Sequence, residues 1–235
     1  MMDKLKAIIQ GGVAQFGKLW KMLLFLYLPI ALLYILLQVL SRSIHNISLS
    51  DFTYDVTILG GLPFYAGMLS QLGIMFWSAT AAVCVLAFIL LKRQNKNGPT
   101  KRFLFHAIAF TIFLLLDDAF IFHEDIAPNY LGIGQNIVFA LYLFVYLVFF
   151  LVNISEILNS EYLILGFAMA LFAASIFIDV AHLDHYELQG IFFSERFQTF
   201  LEDGLKFAGI VTWFIYFTRY SIQSLERPGI EIQSR

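Results

Sequence analysis

Asp117 and Asp118 stand in the stretch FLLLDDAFIFHED, Phe113 to Asp125, where an apolar run suddenly carries two carboxylates, then His123, Glu124 and Asp125. Ala119, Phe120, Ile121 and Phe122 continue beyond the two aspartates, so both lie about a turn inside the apolar segment. A carboxylate in such surroundings costs several kcal/mol unless it is paired, protonated, hydrated or bound to a metal. Two downstream clusters offer related chemistry. FIDVAHLDHYE carries Asp179, His182, Asp184 and His185, and FLEDGLKF carries Glu202, Asp203 and Lys206.

A carboxylate with an imidazole three residues on, as in Asp179-Val-Ala-His182, is one way helical bundles hold metal ions. Asp117, His123, Asp179, His182 and Glu202 together form a set of hard oxygen and imidazole donors with no thiolate. That set predicts a divalent metal of the Zn, Fe or Mn kind. Asp118 and Glu124 are then the catalytic candidates, either one acting as general base on a metal-activated water. On an unbroken helix Asp117 and Glu124 fall within ~20° of one another, two turns apart. Lys206 supplies a non-metal alternative: it neutralises Asp117 or Glu202 as a structural ion pair. Glu202 and Asp203 also suit the positive end of a helix dipole, and the histidines suit a hydrated interface.

The elements that must position these groups are membrane helices. The chain of 235 residues is 60% hydrophobic and only 14% charged, with a mean hydropathy of +0.77. Soluble domains carry roughly a quarter charged residues. Long apolar runs without period-2 alternation predict an all-α polytopic membrane protein, because a helix satisfies its own backbone where water is absent. Six spans are expected, near 22–40, 63–91, 103–122, 133–152, 162–180 and 200–217. Residues 1–21 read as an amphipathic basic segment on the membrane surface, 22–221 as the six-span domain and 222–235 as a cytoplasmic tail. The loop KRQNKNGPTKR, with Lys4, Lys6, Lys18, Lys21, Arg219, Arg227 and Arg235, puts most positive charge on one side. Both termini are therefore expected in the cytoplasm, in a bacterial inner membrane or its equivalent.

With that orientation the outer ends of spans three and five and the start of span six bring all three clusters to one leaflet. The sequence thus points to a metal-dependent membrane hydrolase acting on a lipid or other amphiphile that reaches the site laterally. At the level of architecture the arrangement resembles the membrane hydrolases of the alkaline-ceramidase and progestin-receptor type, which use Asp and His from several spans around zinc. The chain has no matching His-x-x-x-His motif, so the resemblance assigns no residue. An ion- or proton-coupled transporter and a non-catalytic subunit of a membrane complex are the alternatives. The apolar inner halves of the spans count against transport. Membrane lipid is the expected partner, with room for a homo-oligomer. Nucleic acid is not expected, since topology explains the short basic loop. The lone Cys84, in AAVCVLAFIL, reads as packing, and there is no Gly-x-Ser-x-Gly element for nucleophilic catalysis.

Overall fold

A computed structural model gives the fold and describes residues 2–43, 52, 54–95, 98–181 and 195–226. Among these residues the only regular secondary structure is helix, with no strand. The chain divides between Ala66 and Gly67 into two units. The first holds α1 (Met2–Ser43) and the single turn α2 (Val56–Leu59). Pro29 lies inside α1, and its halves Gln15–Phe25 and Tyr27–Ser43 are bent by 41°. Asp55 caps α2 by accepting the Thr57 backbone N–H at 2.8 Å.

The second unit is a bundle of α3 (Met68–Arg93), α4 (Pro99–Phe120), α5 (Gln135–Leu158), α6 (Tyr162–Ala181) and α7 (Glu195–Glu226). A π-helical segment, Phe122–Tyr130, follows α4. Pro99 occupies the first turn of α4, where its missing N–H costs nothing, and Gly98 precedes it. Four of these helices are long and apolar enough to cross a membrane: α3, α4, α5 from Ile137 to Leu158, and α6 from Tyr162 to Asp179. The bent pair within α1 makes a fifth if its halves form one span.

The last helix is not among them, although it lies at the centre of the bundle. It packs against α3 and α6 and buries Trp213, Tyr216, Phe217 and Tyr220. Close approach explains how. Gly209 on α7 sits under the ring of Phe172 on α6, and Gly73 on α3 faces Ile210 of α7. Such small residues let membrane helices approach closely, where dispersion contacts hold them together. An aromatic layer fills the middle: Phe110 of α4 stacks on Phe149 of α5 at 4.6 Å, and Trp213 lies 5.7 Å from Phe110.

Two expectations about local structure are corrected here. The stretch from Asp117 to Glu124 is not one unbroken helix. It breaks at Ile121, which takes the left-handed conformation with φ 52°, and Pro128 lies inside the π-helical segment. Asp117 and Glu124 therefore do not share one helical stripe. The fourth helix continues beyond residue 152 to Leu158 and carries Asn153 and Glu156 within it. The half of it expected to face inward is not wholly apolar.

Candidate functional site

The break at Ile121 creates the site. A β-branched residue at positive φ is strained, and the hydrogen bonds that the break allows offset that strain. The chain turns back so that His123 meets Asp117 twice. Its backbone N–H donates to Asp117 Oδ1 at 3.1 Å, and its Nδ1 lies 2.7 Å from Asp117 Oδ2. Tyr142 of α5 donates its hydroxyl to the same Oδ1 at 2.5 Å. Asp117 is buried, and these three donors satisfy it.

Asp118 points the other way, toward α3 and α7. Trp77 Nε1 donates to its Oδ2 at 2.7 Å, and Lys206 Nζ lies 2.8 Å from its Oδ1. The Asp118 side chain is 11% exposed and that of Lys206 34%, so water reaches the pair mainly from the lysine side. The two adjacent aspartates thus serve different partners, one an imidazole a few residues along the chain and the other an amine on the last helix.

Between these pairs lies a cavity of about 220 Å³. Asp117, Asp118, Glu124 and Asp203 supply acid to its walls, and His123 and Lys206 supply base. Leu69, Phe207 and Ile210 make the apolar side. Glu124 Oε1 stands 3.3 Å from His123 Nε2, so each ring nitrogen of His123 faces a carboxylate. Burial alone would push His123 down, but the hydrogen bonds and charges of Asp117 and Glu124 outweigh it and raise the imidazole to about 9. The His123 hydrogen bond in turn holds Glu124 below the usual carboxylate range.

The sign of the resulting pH dependence follows. A histidine raised from 6.5 to about 9 in the folded chain contributes stability that is fully present below pH 6.5. That stability is lost as pH rises through about 9. The unfolding midpoint in detergent should therefore fall between neutral and alkaline pH. His123→Gln should flatten that slope, and an unchanged slope in the variant would show that another group titrates.

Among the described residues the expected metal ligands do not come together as one group. Asp117 and His123 meet, but as partners of one another. Asp179 on α6 lies near Glu202 of α7, and the charges of Asp179, Asp203 and Glu124 all act against that of Glu202. His182, with Asp184 and His185, falls outside the described residues. Among the described residues no three of His, Cys, Asp and Glu gather in a way that could hold a metal ion. The physical reason at Asp117 and His123 is competition: proton donors already occupy the lone pairs that a cation would take. Of the two catalytic candidates, Glu124 lines the cavity with its side chain 57% exposed, whereas Asp118 is engaged by Trp77 and Lys206.

Trp77 joins the site without any announcement in the sequence, and Tyr142 with only a faint one. Each comes from a distant helix, 41 and 25 residues from its aspartate. The signal available for Tyr142 is its hydroxyl in an otherwise uncharged apolar run, since a buried phenol needs a partner. None of the curated proteins and none of the solved structures matches this chain. Residues 23–220 match the family described as Domain of unknown function (DUF8692), a range that takes in α3 to α6 whole and every residue of the site, and the chain belongs to that family.

Proposed function

We propose that this chain is a six-span membrane protein with both termini in the cytoplasm, and that its cavity takes the headgroup of a membrane lipid or other amphiphile for hydrolysis. The observation that carries the reading is the cavity itself. It joins charged groups of both signs to an apolar wall at the end of helices apolar enough to cross a bilayer. At about 220 Å³ it is smaller than the ~300–1,000 Å³ of sites that enclose whole drug-sized ligands. A headgroup enters and the acyl chains stay in the membrane.

The chemistry follows from the proton inventory. His123, protonated at neutral pH, is the general acid, held in place by Asp117. Glu124, an ionised carboxylate, takes a proton from the attacking water. The water oxygen forms the new bond to the ester carbon or phosphorus, and the leaving oxygen departs with the proton of His123. The 3.3 Å contact between Glu124 and His123 returns the abstracted proton to the imidazole and resets the site. Lys206 holds an anionic oxygen of the headgroup while Asp118 keeps the ammonium in place. The cycle needs no metal. A Zn, Fe or Mn ion at Asp117 and His123 would first have to part them, and metal content of the purified protein measures that directly.

The test is release of fatty acid or headgroup from lipid nanodiscs carrying the protein, followed by mass spectrometry over several lipid classes. His123→Gln and Glu124→Gln should each lower the rate by ~10²–10⁴-fold, the usual contribution of a positioned acid or base. Release at the parental rate in both variants sinks the assignment. So does a parent that releases nothing from any class.

A further inference from the structure

The face of α5 that meets α4 carries polar side chains along its whole length. Tyr142, Tyr146, Asn153 and Glu156 fall at intervals of three, four and seven residues, which keeps them on one helical stripe. Their partners show that the two helices run antiparallel. Tyr142 binds Asp117, Asn153 Oδ1 lies 2.9 Å from His106 Nδ1, and Glu156 Oε2 accepts from Thr100 at 3.4 Å. Tyr220 of α7 also donates to Glu156 Oε2, at 2.7 Å. From Thr100 to Asp117 the rise along α4 is about 25 Å, close to the ~30 Å of a hydrocarbon core.

A lipid-spanning interface gains nothing from such groups unless they work. Polar and ionisable side chains inside a membrane are costly, and those that persist mark ion and proton pathways. Each group here can both give and take a proton, or sits beside one that can. Asn153 Nδ2 donates to the Phe149 carbonyl, so its Oδ1 accepts from His106 Nδ1 and leaves His106 Nε2 as an acceptor. One layer interrupts the seam. The stacked rings of Phe110 and Phe149, with Trp213 beside them, separate Asp117 and Tyr142 at one end from His106, Asn153 and Glu156 at the other. Apolar constrictions of this kind gate by excluding water.

We infer that the α4–α5 seam conducts protons across the bilayer, between Asp117 at one end and Glu156 at the other, with the Phe110–Phe149 layer as its gate. A proton enters on the Asp117–His123 pair, crosses the layer through transient water, passes His106 and leaves from Glu156. Only H⁺ is transferred and no bond other than O–H and N–H changes. The net charge moved is compensated by other ions. The inference rests on the membrane placement proposed above and not on the lipid chemistry.

The experiment uses the full chain reconstituted in vesicles loaded with K⁺ and a pH-sensitive dye. Valinomycin then sets a diffusion potential that drives H⁺ inward, and flotation of the vesicles checks insertion separately. Parent vesicles should acidify several-fold faster than protein-free ones. Glu156→Gln and Asp117→Asn, at opposite ends, should each return the rate to the protein-free level, and Phe149→Ala should raise it above the parent. If inserted parent and Phe149→Ala are no faster than protein-free vesicles, the seam does not conduct. Parental flux in inserted Glu156→Gln overturns the path equally. Lipid release is read in a separate assay, so either idea can fail alone.

Discussion

Lys206→Met should lower the unfolding temperature of the protein in detergent by more than any other single change at the cavity. The substitution keeps the long apolar stem of Lys206 and removes only the ammonium, so the lining of the cavity it shares with Phe207 and Ile210 is little altered. What changes is Asp118, left with Trp77 as its one remaining partner. Breaking a buried pair from one side typically costs ~3–5 kcal/mol. The partial exposure of Lys206 lets water reach the carboxylate, and about 2–3 kcal/mol is expected here after that discount. For a chain of this size that is a fall of roughly 5–10 °C.

The control is the double variant Asp118→Asn/Lys206→Met. Asparagine still accepts from Trp77 Nε1 and carries no charge, so the double variant should recover most of the loss. Differential scanning fluorimetry of the parent, both single variants and the double completes the cycle. A double variant as unstable as Lys206→Met alone would mean that the lysine acts through packing and not through charge.

Gly209→Val should be nearly as damaging, for a steric reason. A Cβ at Gly209 would lie 2.7 Å from Phe172 Cε1 and 2.8 Å from Cδ1. The ring cannot swing aside, because it stacks on Trp77 at 5.9 Å and meets Trp213 at 6.4 Å. Overpacking of this kind costs ~1–3 kcal/mol for a methyl group and more for a branched side chain. Gly209→Ala gains up to ~1 kcal/mol of helix propensity in return, so alanine should cost clearly less than valine. Phe172→Leu should rescue part of the valine defect by opening space above α7. The same thermal measurement reads it out, and a Gly209→Val protein as stable as the parent would show that α6 and α7 shift apart freely.

How much of this is legible in the sequence depends on the kind of signal. Composition and long apolar runs predict an all-helical chain with membrane-length helices, because a backbone without water has few other solutions. Asp117 and Asp118 announce themselves for the same reason: a carboxylate among Leu and Phe must have a partner. Which partner it has is not legible. Lys206 appears in the sequence as a candidate counter-ion for Asp117 or Glu202, and the structure gives it to Asp118. The rotation of α7 about its axis decides that, and α7 is set by Gly209 against Phe172 and Gly73 against Ile210, contacts with no local signature.

The helical-wheel argument placing Asp117 beside Glu124 fails at one residue. Nothing in the triplet Phe120-Ile121-Phe122 advertises a left-handed turn, since neither glycine nor asparagine is present. Asn153 and Glu156 escape a sequence reading for a different reason. They follow an unbroken apolar run from Ile137 to Val152, and a span counted by hydropathy stops where the first polar residue appears. Helices stop where capping and packing end them, and α5 continues to Leu158 because Asn153 and Glu156 find partners on α4 and α7.

The polar ends of α7 also bear on how the protein is made. On the six-span reading, a translocating segment with Glu202, Asp203 and Lys206 at one end and Arg219 near the other partitions poorly into lipid by itself, because every charge on it raises the cost of insertion. Its counter-charges are synthesised earlier. Asp118 awaits Lys206 on α4, and Glu161, just ahead of α6, awaits Arg219. On the six-span reading proposed above, the last helix enters the membrane as a client of the helices before it. A truncation that removes α4 takes Asp118 away from Lys206 and should lower the fraction of α7 that inserts.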